Sequence, residues 1–285
     1  MLNNSSFYKH TFIGCGASYE ETDFVIFGAP FDSTASFRPG ARFASQTMRA
    51  ESYGIETYSP YQDKDLEDLV VCDAGDLELT IGDVEMALSQ IESFAAQLLS
   101  DRKRPAMIGG EHLVTLGAVR SICKQYPDLH IVHFDAHADL RDDYLGAKLS
   151  HATVMRRVWD LLGDGHIFQF GVRSGDRCEF EWGNGHVHTQ KFDFGGLESV
   201  ISNFGTAPVY FSLDLDVLDP SVLPGTGTPE AGGVSFIEIM GAIKLLSRLN
   251  IVGFDMVELS PPYDSSGIST ATACKLLREC LLYFS

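Results

Sequence analysis

No apolar run in the sequence approaches the roughly 18 to 20 residues that cross a bilayer. The first stretch, MLNNSSFYKHTFIGCG, holds no basic segment followed by a sustained apolar one. Neither a membrane association nor a leader is therefore expected, and a cytoplasmic protein is the simplest reading. Zinc-ribbon spacing is missing as well. Cys15, Cys72, Cys123, Cys178, Cys274 and Cys280 are scattered without a CxxC, and runs such as VVCDAG and RSICKQ suit reduced buried thiols better than disulfides. Basic residues are scarce, 21 Lys and Arg against 39 Asp and Glu, for a formal net charge of -18. That balance excludes nucleic acid as a partner, because phosphate backbones need Lys and Arg. A cationic small substrate or bound metal ions fit the excess, and so does plain solubility. Low-complexity tracts, linkers and fixed-period repeats are absent too, so residues 1–285 are expected to form one domain with a large core.

What is present is a recurring β-then-α pattern. DFVIFGAP, DLVVCDAGD, RPAMIGGEH, HIVHFDAH, IFQFGVRS, GHVHTQ, APVYFSLDLDV and IVGFDMVELSP read as eight strands. Several are nearly continuous apolar runs, as in a parallel sheet covered on both faces. VEMALSQIESFAAQLLS, LVTLGAVRSICKQY, HATVMRRVWDLL, FIEIMGAIKLLSRL and TATACKLLRECLLYF carry apolar residues at three- and four-residue spacing and read as amphipathic helices. Residues 52–68 are polar and loop-like. The pattern gives an α/β protein of βαβ units, but it does not separate an open doubly wound sheet from a (β/α)8 barrel.

The strands end in unusual polar groups: Asp32, Asp73 and Asp76, Glu111 and His112, then HFDAHADLRDDY, then Asp214 and Asp216, then Glu258. Ligands of α/β proteins sit at that carboxyl edge. In HFDAHAD the residues Asp135, His137 and Asp139 alternate, which on a strand would aim them to one face. Asp214 and Asp216 in SLDLDVLDP share that spacing, and two like charges repel unless a cation lies between them. Together with His112 these make two imidazoles and four carboxylates, an inventory suited to a pair of divalent ions. Nitrogen and oxygen ligation without thiolate suits manganese, iron, cobalt or zinc better than copper(I) or calcium, with Mn(II) the first choice. Each motif has a plainer reading: Glu111 and His112 as helix caps, LDLD as a turn cap. Their conjunction on separate strand ends favours the metal site. His133, one step deeper, is expected to support the ligands or fill the core. His186 and His188, without a carboxylate, are expected on an exposed or edge strand.

These residues resemble the ureohydrolases, the family of arginase, agmatinase and their relatives. GGEH (109–112), DAHAD (135–139), SHAT (150–153), SLDLDVLDP followed by PGTGTPEAGG, and VELSPPYD (257–264) occur in the family's order, and GAPFDSTASFRPGAR (28–42) is similar to the agmatinase N-terminal signature. The resemblance implies a three-layer α/β/α sandwich around an eight-stranded, mainly parallel sheet. It implies two Mn(II) ions, one held by His112, Asp135, Asp139 and Asp214, the other by His137, Asp135, Asp214 and Asp216. It also implies that Asp139 and His151 move a proton, and that the chain forms trimers or hexamers. Glu258 suits the guanidinium anchor, since a carboxylate can meet that planar cation with two hydrogen bonds, and the resemblance gives it the same part.

The expected reaction is hydrolysis of a guanidino group to urea, with agmatine giving putrescine, as in polyamine biosynthesis. In LRDDYLGAKLSH, Asp142 and Asp143 would welcome the amine of agmatine, whereas Arg141 could serve a carboxylated substrate or pair with those aspartates. Aminopropylagmatine, guanidinobutyrate and arginine stay open, as do a deacetylase on a related fold and a non-catalytic binding protein.

Overall fold

A computed structural model describes residues 10–285 of the chain, so the reading of the first nine residues as carrying no leader lies outside it. Eight strands form the central sheet: β1 (Phe24–Ala29), β2 (Val71–Asp76), β3 (Arg104–Gly109), β4 (His130–Phe134), β5 (Ile167–Val172), β6 (His188–Lys191), β7 (Pro208–Asp214) and β8 (Asn250–Val257). Their spatial order is β2-β1-β3-β8-β7-β4-β5-β6, and every adjacent pair is parallel. The open order, rather than closure on itself, makes this a sandwich and not a barrel.

The near-continuous apolar runs follow from two covered faces. Phe24, Ile26, Ala106, Ile108, Val132, Phe134, Phe211 and Phe254 pack into one core, with α1 (Ala44–Glu51), α6 (Leu197–Ile201), α7 (Phe236–Leu246) and α8 (Ile268–Phe284) over it. The alternate residues Val25, Phe27, Met107, Ile131, Tyr210 and Val252 pack into a second core beneath α2 (Val84–Ser100), α3 (Val114–Gln125) and α4 (Val154–Leu162). Strand alternation thus feeds both layers from one sequence. The five helices expected from periodicity are all present, α2 with the same bounds. Helix α1 (ASQTMRAE), α5 (Arg177–Gly183) and α6 were not foreseen, because α1 is mostly polar and the other two span too few turns to show a period. Within 52–68 lies a short antiparallel hairpin, Tyr58–Ser59 against Lys64–Asp65. Among the described residues no helix is long and apolar enough to cross a membrane. All six cysteines are free and four are buried, whereas Cys178 is exposed.

The end of β3 shows how tightly the backbone is drawn under the site. Gly110 N–H donates to Ala29 O at 2.9 Å, Glu111 N–H to Phe31 O at 2.7 Å, and Glu258 N–H to Gly110 O at 2.9 Å. A Cβ on Gly110 would lie 1.8 Å from the Phe31 carbonyl oxygen, so only glycine lets the three segments meet. Gly110→Ala is expected to cost about 3 kcal/mol or more, since rigid backbone must shift. Gly241→Ala, on an open face of α7, is expected to add about 0.5–1 kcal/mol instead. Thermal unfolding of the two variants, compared with the parent chain, checks both signs.

Candidate metal centre

Four adjacent strands at the middle of the sheet, β3, β8, β7 and β4, deliver the polar residues, each just past its carboxyl end. The alternation argument for DAHAD needs correction. Strand β4 stops at Phe134, so Asp135, His137 and Asp139 lie in the following loop and owe their convergence to turns. Asp139 adopts a left-handed φ of 54°. The loop is pinned by His137 N–H to Asp135 Oδ1 (2.6 Å), Ala136 N–H to Asp216 Oδ1 (3.1 Å) and Ala138 N–H to Ser174 O (3.1 Å). Asp214 closes β7, and Asp216 follows in a 3-10 turn whose N–H donates to Asp214 Oδ1 at 2.8 Å. Glu258 stands one residue beyond β8, again left-handed at φ 65°. Asp139 and Glu258, two of the six left-handed non-glycine residues among those described, therefore sit where a carboxylate must be aimed inward.

His112 is the hub. Its Nδ1 lies 3.1 Å from Asp135 Oδ2, 3.3 Å from Asp139 Oδ2 and 3.2 Å from Asp214 Oδ2, yet forms no aligned hydrogen bond. Beside it His137 Nδ1 lies 3.0 Å from Asp216 Oδ2 and 3.5 Å from Asp135 Oδ1. His137, Asp135 and Asp216 present donor atoms close enough to share one cation. Burial works to raise the carboxyls of Asp135, Asp139 and Asp214. It lifts Asp139 to about 7, with Asp135 adding to the effect, and lifts Asp214 well above the usual range, aided by Asp216 and Asp135. Asp135 goes the other way: burial would raise it, but the close imidazoles of His112 and His133 outweigh that and hold it down. Burial disfavours charge on His112, but the three carboxylates overcome it and push that imidazole up. Buried carboxyls crowded around an imidazole nitrogen with no aligned partner are what a cation would complete. The donors fit divalent metal.

A row of buried polar residues supports the hub from inside the sheet. Strand pairing sets Gln169, His133, Ser212 and Asp255 side by side on β5, β4, β7 and β8, each fully buried. His112 Nε2 lies 3.0 Å from Ser212 Oγ, which donates to Asp255 Oδ1 at 2.7 Å, while Tyr210 OH donates to Asp255 Oδ2 at 2.8 Å. Gln169 Nε2 donates to Ala138 O (2.7 Å) and faces His133 Nδ1 (3.1 Å), and Thr189 Oγ1 donates to Gln169 Oε1 at 3.0 Å. His133 Nδ1 therefore accepts, so Nε2 carries the hydrogen and donates to Asp135 Oδ2 at 2.8 Å. His133 thus orients a carboxylate and offers no lone pair to an ion.

A cavity of about 230 Å³ opens over this cluster. Its lining includes His112, His137, Asp139, Asp214, Asp216, His151 and Glu258. Asp135, fully buried, lies beneath it. Glu258 Oε1 accepts from His112 N–H at 2.7 Å, and burial, then the neighbouring Glu111, raise its carboxyl. Asp142 and Asp143 are not in the lining. Asp142 pairs with Arg157 at 3.0 Å, and Asp143 accepts from Gly146 N–H at 3.2 Å, which removes the reasoning that set them at the substrate's amine. Arg141 does line the cavity, but pairs with Asp176 (2.5 Å) and Glu179 (3.5 Å) and stacks over Tyr144, not with the adjacent aspartates. Asp176, Glu179 and Thr228 are cavity residues that the sequence reading passed over. Asp176 and Glu179 follow the end of β5 in GVRSGDRCE, so the strand-end rule applied there would have found them. His186 stacks on Trp182 and bonds Asp164, while His188 opens the edge strand β6. Neither lines the cavity. Asp32 binds Arg42 and Gly40 N–H, and Asp73 and Asp76 hold Arg49, so these strand-end acids are structural.

A family model of the arginase family matches residues 22–283. The chain belongs to the arginase family. It is 44% identical over 289 residues to the agmatinase of Bacillus subtilis (strain 168), covering 100% of this chain and 99% of that one. The proclavaminate amidinohydrolase of Streptomyces clavuligerus is 35% identical, with 92% and 88% covered. Among solved structures, the agmatine ureohydrolase of Thermoplasma volcanium superposes with a TM-score of 0.88 at 37% identity, covering 98% of this chain and 96% of that one. The fold expected from the resemblance to this family is thereby borne out. If the cluster holds divalent cations, Mn(II) added to metal-stripped protein raises the unfolding temperature. The gain corresponds to about 2.7 kcal/mol at one hundred times the dissociation constant. Scanning calorimetry with and without chelator reads it, and no shift would count against the cluster as a cation site.

Proposed function

We propose that this arginase-family enzyme hydrolyses agmatine to putrescine and urea using two Mn(II) ions. His112, Asp135, Asp139 and Asp214 would hold one ion, and His137, Asp135, Asp214 and Asp216 the other. The observation that carries the reading is the His/Asp cluster and the Glu258 carboxylate sharing one small cavity. When bound, the ions supply an activated water as nucleophile near neutral pH. Everything else falls to the chain. Glu258 keeps one carboxylate oxygen on His112 N–H, leaving the other to receive a guanidinium, whose positive charge would relieve its buried position. Asp139 lines the cavity with Glu258 and His151, placed to take a proton and return it. As the new C–O bond forms and the C–N bond breaks, that proton must reach the leaving amine nitrogen. Asp139 and His151 are the groups we assign to carry it.

The mouth supports a cationic rather than carboxylated substrate. Arg141, the cation that left guanidinobutyrate open, is matched by Asp176 and Glu179, so one carboxylate remains in excess for a distal ammonium. Full-length relatives named agmatinase point the same way. The remaining expectations, a cytoplasmic enzyme of polyamine biosynthesis that forms homotrimers or hexamers, rest on the resemblance.

Urea release by the Mn(II)-loaded protein, with agmatine, arginine, guanidinobutyrate and aminopropylagmatine at equal concentration, tests the reading. Urea predominantly from agmatine supports it; urea from another of the four keeps the chemistry and overturns the substrate. Absence of urea from all four, with two ions bound, overturns the activity. Asp135→Ala and Asp214→Ala are each expected to lose both ions, as read by metal analysis after desalting. Glu258→Gln should retain them while kcat/KM falls roughly a hundredfold, the scale of losing a charge-assisted contact at the reacting group.

A further inference from the structure

Ser36 lines the same cavity as His151, from a loop 115 residues earlier, and its Oγ lies 3.2 Å from His151 Nε2. On the other side of the ring, Ser150 Oγ lies 3.3 Å from Nδ1. A neutral imidazole has one donating and one accepting nitrogen, whereas a hydroxyl can do either. The two serines therefore satisfy the ring in both tautomers, and it can take a proton on one nitrogen and release one from the other without turning. The edge of Tyr144 closes a third side, with ring centroids 5.7 Å apart.

The loop that brings Ser36 is held firmly. Thr34 N–H and Oγ1 donate to the two carboxylate oxygens of buried Glu111 at 3.0 and 2.6 Å, and Thr34 Oγ1 in turn accepts from His151 N–H at 3.0 Å. Further on, Asp32 accepts from Gly40 N–H at 2.7 Å and pairs with Arg42. The segment 32–40 is thus tied at both ends, and at its middle to the backbone of His151 itself. Nothing in the capping of α4 requires Ser36, and its hydroxyl has His151 as its partner among the side chains of the described residues.

We propose that Ser36 is a positioning residue for the proton-carrying histidine, its hydroxyl fixing the His151 ring by Nε2 within the cavity. This rests on the reading of His151 given above. Ser36→Ala, Ser36→Thr, His151→Ala and the Ser36→Ala/His151→Ala pair would be compared for agmatine turnover, KM, the acid limb of the kcat–pH profile and bound Mn(II). Ser36→Ala is expected to lower kcat about tenfold, a part of what full loss of acid–base catalysis removes. KM and metal content should stay within about twofold, since Ser36 touches neither cluster nor anchor. The acid limb should shift, Ser36→Thr should recover most of the rate, and Ser36→Ala should cost nothing further once His151 is gone. Wild-type kcat for Ser36→Ala beside an impaired His151→Ala overturns the inference alone, as does a loss that is fully additive in the pair. Wild-type kcat for His151→Ala overturns the reading of that histidine and this inference with it.

Discussion

Three buried carboxylates directed at one imidazole nitrogen cannot all be ionised without a counter-charge, and the rest of the molecule is arranged around that demand. Each member is held by something else. Ser212 and Asp255 fix the far nitrogen of His112, His133 supplies a hydrogen bond to Asp135, and backbone N–H groups of His137, Asp216 and Ala136 donate to Asp135, Asp214 and Asp216 respectively. Divalent cations satisfy the demand without protons, which is why the same residue set that looks strained as a cluster of acids reads as complete when regarded as a ligand shell.

The architecture sorts its polar residues by depth. Aromatic and branched side chains dominate both layers, but the row Gln169, His133, Ser212, Asp255 runs through the sheet with no exposure. A polar row inside an apolar sheet is tolerable only because every member has a partner in the row or in the loops above it. Its orientation is therefore rigid, and it transmits that rigidity to His112 and Asp135. At the mouth the charges are looser: Arg141 stacks over Tyr144 and faces two carboxylates, exposed Asp176 and buried Glu179, so one negative charge is left uncancelled.

Much of this was legible in the sequence, and for identifiable reasons. Strands covered on two faces are long apolar runs, so the inner strands could be found that way, and the residues at their ends were where His112, Asp214 and Glu258 stand. Asp135, His137 and Asp139 were recognised by a strand argument that fails locally, because the chain turns after Phe134 and uses a left-handed residue to bring Asp139 back. Spacing of two along the chain gave the right companions by the wrong geometry. Asp142 and Asp143 misled for the complementary reason: adjacency to a motif says nothing about which way a loop points, and Arg157, 15 residues on, claims the first of them. The buried row was invisible, since its bonded members lie 36 and 43 residues apart and each alone looks like an ordinary strand residue.

That separation also bears on how the chain reaches its native state. His112 and Glu258 meet across 146 residues, and the strands that carry them, β3 and β8, are neighbours only after the order of the sheet is set. The cluster cannot exist in any partly folded form that lacks the central four strands, and parallel pairing over such distances is slow because loop closure precedes its reward. An ion would thus be captured late on the folding route. It would then act as a latch, slowing unfolding more than it speeds folding, because a shell assembled only at the end stabilises the native state and leaves the transition state unaided.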